Sequence, residues 1–278
     1  MGLSIFEQER RLYAKQHAIA EKQLRPIFRK AIIENMKPVV KWVADFGSKD
    51  VPVERLIKKD VWLPAYLIAA EMIGQKFARQ EYYYQRAMDS GETKASAIEF
   101  LKDVWSGKFR TYITEYVNNI ASSLNQTTID LIKSALAEGD ELGLDRNGFV
   151  RWFYKKANEI VADRTQAFSR TEATKISNLG KEIGARSWID EQGGGGYKVW
   201  LGRIANERPE HLELNNTIIP IDDYYNMSGF ECQRPGDKNL PVGLVINCRC
   251  TQSLMSENRY NAYVNRGRIV DGKLVGAS

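Results

Sequence analysis

The chain has 278 residues, 43% hydrophobic and 27% charged, with a formal net charge of +5. That balance excludes a disordered polar chain, and no apolar run approaches the roughly 20 residues that cross a bilayer. The opening Met1-Gly2-Leu3-Ser4-Ile5, followed by Glu7, Gln8, Glu9 and Arg10, lacks the basic-then-apolar order of a signal peptide, so a soluble, intracellularly made protein not exported by that route is expected.

The charge is uneven. Residues 1–60 carry 13 Lys/Arg against 8 Asp/Glu, while the rest balances at 27 of each. Such an excess suits nucleic acid or an acidic protein surface, and equally a solvated helix face.

The spacing predicts a mainly α chain: a long helical N-terminal region followed by a small α+β C-terminal module. Over residues 4–46, Leu12, Ile19, Leu24, Phe28, Ile32, Val39, Val43 and Phe46 recur near helical spacing, with kinks or breaks expected at Pro26 and Pro38. A second helical region runs over about 52–124, with Pro52 in its first turn and breaks at Gly91 and Gly107. It is rich in aromatic residues, including Trp62, Tyr66, Tyr82 and Trp105. Without interleaved cations these read as helix core rather than as a base-stacking surface. Asn125-Gln126-Thr127-Thr128 reads as the cap of a further short helix ending near Gly139.

The acidic stretch from Gly139 to Gly148 lacks the ligand alternation and closing Glu of a calcium loop, so it reads as a linker. Residues 149–190 then form an amphipathic helix whose face carries Ile160, Arg164, Phe168, Glu172, Ile176, Leu179 and Ile183. Glu172 on that face needs a partner, and Arg164, two turns away at about 12 Å, is too far to supply one. Gly193 to Gly196 end the helix. Tyr197–Leu201 reads as a strand, with short extended runs at 217–221 and 242–252, and 256–278 as a polar tail that frays or lies along a partner. The expected organisation is 1–148, 149–255 and 256–278.

The three cysteines, Cys232, Cys248 and Cys250, all lie in the last fifth of the chain, an odd number that argues against a disulfide framework. In a strand Cys248 and Cys250 would share a face, and with His211 and Cys232 they could hold a structural zinc. The one-residue gap between them is shorter than most zinc pairs, so small buried thiols beside a hydrogen-bonded core histidine are favoured over a zinc site. Nothing marks an oxyanion hole or an orienting third group, so no catalytic residue is assigned. Asp222-Asp223 would diverge in an extended run, and Pro235-Gly236-Asp237 reads as a turn.

An ordered set of motifs now stands out. Ser169-Arg170-Thr171-Glu172 on a helix is followed by Asn178, Gly180 and Trp200. Arg208-x-x-His211-x-x-Leu214, Pro220-x-Asp222-Asp223-Tyr224, Pro235-Gly236-Asp237 and Val245-Ile246-Asn247-Cys248-Arg249-Cys250 follow. Over about residues 160–252 this resembles the phage head-morphogenesis family, the minor head proteins similar to the F protein of phage Mu. It departs where Ile204 and Asn206 stand for an Asp and an Arg, and where Asn215-Asn216 replaces an Asp-Gly turn.

The resemblance implies a structural, non-enzymatic virion component. It would be present in several copies on the capsid interior near the portal, with portal and other head proteins as partners and packaged DNA within reach. It makes Arg170, Glu172, Trp200, Arg208, Asp237 and Asn247 the structural motif, with Glu172 expected to pair with Arg208 or His211. Two other readings stand beside it: a phage nuclease or injected effector using the His/Cys/Asp cluster, and a basic DNA-binding module.

Overall fold

The computed structural model describes residues 5–47, 50–91, 98–202 and 207–275. Ile204 and Asn206 lie outside them. The chain is mainly α, with a small strand-containing C-terminal part. Its helices are α1 (Ile5–Phe46), α2 (Val53–Leu56), α3 (Trp62–Ala69), α4 (Gln75–Ser90), α5 (Ile98–Glu141), α6 (Arg146–Glu191), α7 (Pro209–Glu213), α8 (Val242–Val245) and α9 (Glu257–Asn265). A π turn, Ala70–Gly74, joins α3 to α4. Among the described residues no helix is long and apolar enough to cross a membrane.

Contacts divide the chain into two compact units. One, the motif unit, comprises Met1–Lys22, Ala69–Phe109 and Arg170–Ser278; the other, the aromatic unit, comprises Gln23–Ile68 and Arg110–Ser169. The long helices α1, α5 and α6 each supply residues to both. Each unit is built from segments far apart in sequence, because helices of more than 40 residues supply residues to both.

Helix α1 is continuous through Pro26 and Pro38. Each proline removes one backbone bond, but Leu24, Phe28, Ile32, Val39 and Val43 are all fully buried, and that packing outweighs the loss. Toward its start the buried stripe differs from the expected one. Phe6, Tyr13, His17 and Ala20 point inward, while Leu12 and Ile19 are exposed; at the other end Phe46, the last residue of the helix, is exposed too. Tyr13 and His17 can be buried because Ser177 Oγ lies 3.0 Å from the Tyr13 hydroxyl and Thr174 Oγ1 lies 2.9 Å from His17 Nε2. A periodicity counted on apolar residues alone misplaces that face by one position.

Gly91 ends α4 in the left-handed region at φ 70°, as expected. Gly107 does not break α5, and Asn125–Thr128 do not cap a new helix. Thr127 and Thr128 donate to the carbonyls of Ser123 and Leu124 one turn back. Asn125 Oδ1 accepts from Asn35 Nδ2 at 3.0 Å and from Trp62 Nε1 at 2.9 Å. With those bonds made inside the bundle, the cap-forming residues have no need to end the helix. The aromatic unit is filled by rings: Trp62 stacks on Phe168 at 5.4 Å, and Phe28 and Tyr116 each pack edge-on against Tyr66. Asp145 caps α6, its carboxylate accepting from Gly148 N at 2.7 Å.

The motif unit holds an antiparallel sheet ordered β2-β1-β5, in which β1 is Gly196–Leu201, β2 Ile218–Pro220 and β5 Thr251–Ser256. Alternation along β1 sends Val199 and Leu201 into one cluster with Ile218, Met255, Ile269 and Leu274, and Trp200 into another with Tyr225, Cys232, Cys248 and Cys250. Two hairpins flank it, β3 (Tyr225–Met227) with β4 (Phe230–Cys232) and β6 (Ile269–Val270) with β7 (Lys273–Leu274).

The expected polar tail is therefore structured to residue 275. Ser256 Oγ caps α9, and Asp271-Gly272, both at positive φ, turn the last hairpin against Ile218. An Asp-Gly pair between apolar residues is a hairpin signal that the reading of the sequence passed over.

Candidate functional site

The motif residues come together in the motif unit, around the second half of α6. Residues 171–189 of that helix are almost entirely buried on every side, although many are polar. A one-sided amphipathic helix is thus the wrong description of this half. Two glycines allow the closest approaches: a Cβ at Gly180 would sit 2.5 Å from the carbonyl oxygen of Gly74, and one at Gly184 only 2.0 Å from that of Ala78.

The polar side chains are accommodated because each meets a specific group. Asn178 is the hub: its Nδ2 donates to the Cys250 carbonyl at 3.0 Å and the Pro235 carbonyl at 3.3 Å, while its Oδ1 accepts from Thr251 Oγ1 and Gln252 N. Glu182 accepts from Arg234 Nε at 2.8 Å and Arg186 Nε at 3.1 Å. Burial pushes its carboxyl up, but the two guanidinium groups outweigh burial and hold it below the usual carboxylate range. Arg186 also reaches exposed Asp222 at 2.6 Å, which gives that residue a surface ion-pair role.

The helix that begins with Arg170 lies against the cysteine-bearing segment. Arg170 Nη1 donates to Asn247 Oδ1 at 3.3 Å, Asn247 N donates to Thr171 Oγ1 at 3.1 Å, and the Thr174 hydroxyl donates to the Cys248 carbonyl. Asn247 adopts φ 57°, a left-handed conformation that asparagine tolerates. Glu21 of α1 faces two arginines of the motif, with Arg170 Nε at 3.8 Å and Arg249 Nη2 at 3.9 Å. Glu172 does not take the partner expected of it. It pairs with Lys175 at 3.1 Å, one turn along the same helix, where both side chains are buried.

Arg208 and His211 are occupied instead with α8. A four-residue helix leaves most of its carbonyls without intrahelical donors. Arg208 donates to the carbonyls of Gly243 and Ile246, and His211 Nε2 lies 3.0 Å from the Leu244 carbonyl. The Arg-x-x-His spacing puts both donors within reach of one turn of backbone. Trp200 packs edge-on against His211 and Tyr225. Pro235-Gly236-Asp237 forms the expected turn: Gly236 sits at φ 78°, where a Cβ would come 3.1 Å from the Lys175 backbone, and buried Asp237 accepts from Gln233 N, Asn239 N and Arg234. Asn216 holds φ 66° in the turn after Leu214, and both Asn215 and Asn216 accept from Arg10.

Cys248 and Cys250 precede β5 rather than lying in a strand, so strand alternation is not what aligns them. They converge nonetheless. His211, Cys248 and Cys250 place one ligand atom each within 4.8 Å of one another, and all three are buried. Nδ1 of His211 is 3.2 Å from Cys250 Sγ and 3.5 Å from Cys248 Sγ.

Cys232, expected as a fourth member, is outside this group. It packs in the same apolar cluster, and burial pushes its thiol up to about 12. The hydrogen bond from Cys250 lowers the Cys248 thiol, while burial raises that of Cys250. Glu207, which sequence reasoning missed, is the group that closes on the cluster, with Oε1 3.3 Å from Cys250 Sγ and 3.4 Å from His211 Nδ1. Its position four residues before His211 was the available signal. Asp222, Asp223 and Asp237 join no such group among the described residues.

No family model, no curated protein and no solved structure matches this chain.

Proposed function

We propose that this chain is a structural minor head protein of a tailed phage, held in several copies on the capsid interior near the portal and acting in head assembly. One observation supports the reading above the others. The pieces of the motif that resembles the Mu F-like family, separated by up to about 80 residues, meet in one hydrogen-bonded unit, with the Arg170–Thr171 turn on the Asn247–Cys250 segment.

In that unit the motif side chains hold backbone. Arg208, Asn178 Nδ2 and His211 Nε2 bind carbonyls, which suits a rigid anchor better than a reaction centre. The basic excess of residues 1–60 is the part of the chain suited to touching packaged DNA.

The test is to purify phage heads from cells expressing a tagged copy. Recovery of the chain in DNA-filled heads, crosslinked to portal subunits, is the expected result. A chain that stays wholly with the soluble host fraction, or that cleaves nucleic acid and loses this activity on His211→Ala, overturns the proposal.

A further inference from the structure

We propose that the motif unit carries a zinc site made by His211 Nδ1, Cys248 Sγ, Cys250 Sγ and the carboxylate of Glu207, with Cys232 no part of it. The inference stands apart from any role in phage heads.

A tetrahedral zinc with Zn–S near 2.3 Å and Zn–N or Zn–O near 2.0 Å spaces its ligand atoms about 3.3–3.8 Å apart. The distances here are 3.2 Å and 3.5 Å from His211 Nδ1 to the two sulfurs, 3.3 Å from Glu207 to Cys250 Sγ, and 3.4 Å from Glu207 to His211 Nδ1. Three groups of the donor types zinc takes therefore already stand within 4.8 Å of one another, and Glu207 lies beside two of them, His211 and Cys250.

The surroundings orient them. A carbonyl can only accept, so Nε2 of the neutral His211 ring must carry the proton toward Leu244 O, and the lone pair on Nδ1 then faces the thiols. The backbone N–H of Cys250 points at Cys248 Sγ at 3.4 Å, an amide-to-sulfur contact that stabilises thiolate. The His211 and Glu207 side chains are 1% and 7% exposed, so neither is a surface group that happens to lie nearby. Two thiols, one imidazole and one carboxylate are a zinc-selective donor set, softer than calcium or magnesium accept. Binding releases the two thiol protons to solvent, which leaves two thiolates on the metal.

The ion would tie α7 and the residue before Arg208 to the Cys248–Cys250 segment, which itself grips α6 through Asn178 and Thr174. It would thus lock the same contacts on which the motif unit is built.

The experiment uses the full-length chain: zinc content as purified, then chelation, then titration with Co²⁺ as a spectroscopic probe. One zinc per chain is expected, with thiolate-to-cobalt charge-transfer bands, tetrahedral d–d bands and a lower Tm after chelation. Cys232→Ser should keep the full metal content, and Glu207→Gln should weaken binding by at least about tenfold. Absence of both zinc and a cobalt–thiolate spectrum in the wild-type chain overturns the proposal. So does a Cys232→Ser variant that loses the metal while Glu207→Gln keeps it.

Discussion

Two buried arginines show how differently the two units are held together. Arg234, in the motif unit, is 7% exposed and sits between Glu182 and Asp237. Arg164, in the aromatic unit, is 6% exposed and has no carboxylate partner among the described residues. It donates to Thr128 Oγ1 at 2.7 Å and to the Leu124 carbonyl at 3.2 Å, and lies over the Phe168 ring. Burial alone pulls its guanidinium down to about 10.

The motif unit, Lys198 apart, buries charge in compensated sets, Glu182 with Arg186 and Arg234, Glu172 with Lys175, Asp237 with Arg234. The aromatic unit relies on rings and neutral hydrogen bonds and tolerates one uncompensated cation. Burying an ion pair gains little over a hydrophobic replacement, but breaking one leaves a stranded charge. The two units should therefore respond to loss of a buried arginine by very different amounts.

The largest effect should follow Arg234→Met. Glu182 would keep only Arg186, and Asp237 would lose its cation, so a loss of about 3–5 kcal/mol is expected in urea denaturation. Arg164→Met is the control in the other unit. Thr128 still donates to Leu124, no anion is stranded, and the desolvation cost of the guanidinium is removed. Its stability should change by no more than about 1 kcal/mol in either direction. If both variants lose the same amount, the contrast between the cores is wrong.

The same contrast explains which features could be read from the sequence. The strand at 197–201, the start of α6 and the turn at Pro235-Gly236-Asp237 were legible because period, glycine and turn chemistry are local. So was the meeting of the Arg170 helix with the cysteine segment, through the order of the motif. The uninterrupted α5 was not, because Gly107 and Asn125–Thr128 carry breaker and cap signals that tertiary partners override.

Nor was the all-round burial of residues 171–189: a helix with Asn178, Lys181 and Glu182 reads as half solvated until their partners, 50 or more residues away, are known. The site shows the same limit. Two thiols and a histidine were foreseeable as a set, but the choice of Glu207 over Cys232 depends on how α7 docks, which no spacing rule encodes.

Lys198 offers the smallest test, and one in which stability should rise. It is fully buried on β1, and its ammonium lies over the Tyr225 ring at 5.4 Å with no hydrogen-bond partner. Burial pulls its pKa down from 10.5 to about 8, against the attraction of Glu182. The sign follows from linkage. Between pH 8 and 10.5 the unfolded chain binds the proton that the folded chain has released, so stability rises with pH across that window. At pH 7 both states carry the proton, and the folded state bears the cost of a buried charge. Lys198→Met removes the group from both sides. It should raise Tm at pH 7 and flatten the rise between pH 8 and 10.5 in a series of thermal melts. A variant less stable than wild type at pH 7 would mean that attraction to Glu182 outweighs desolvation, and that Lys198 belongs with the compensated charges after all.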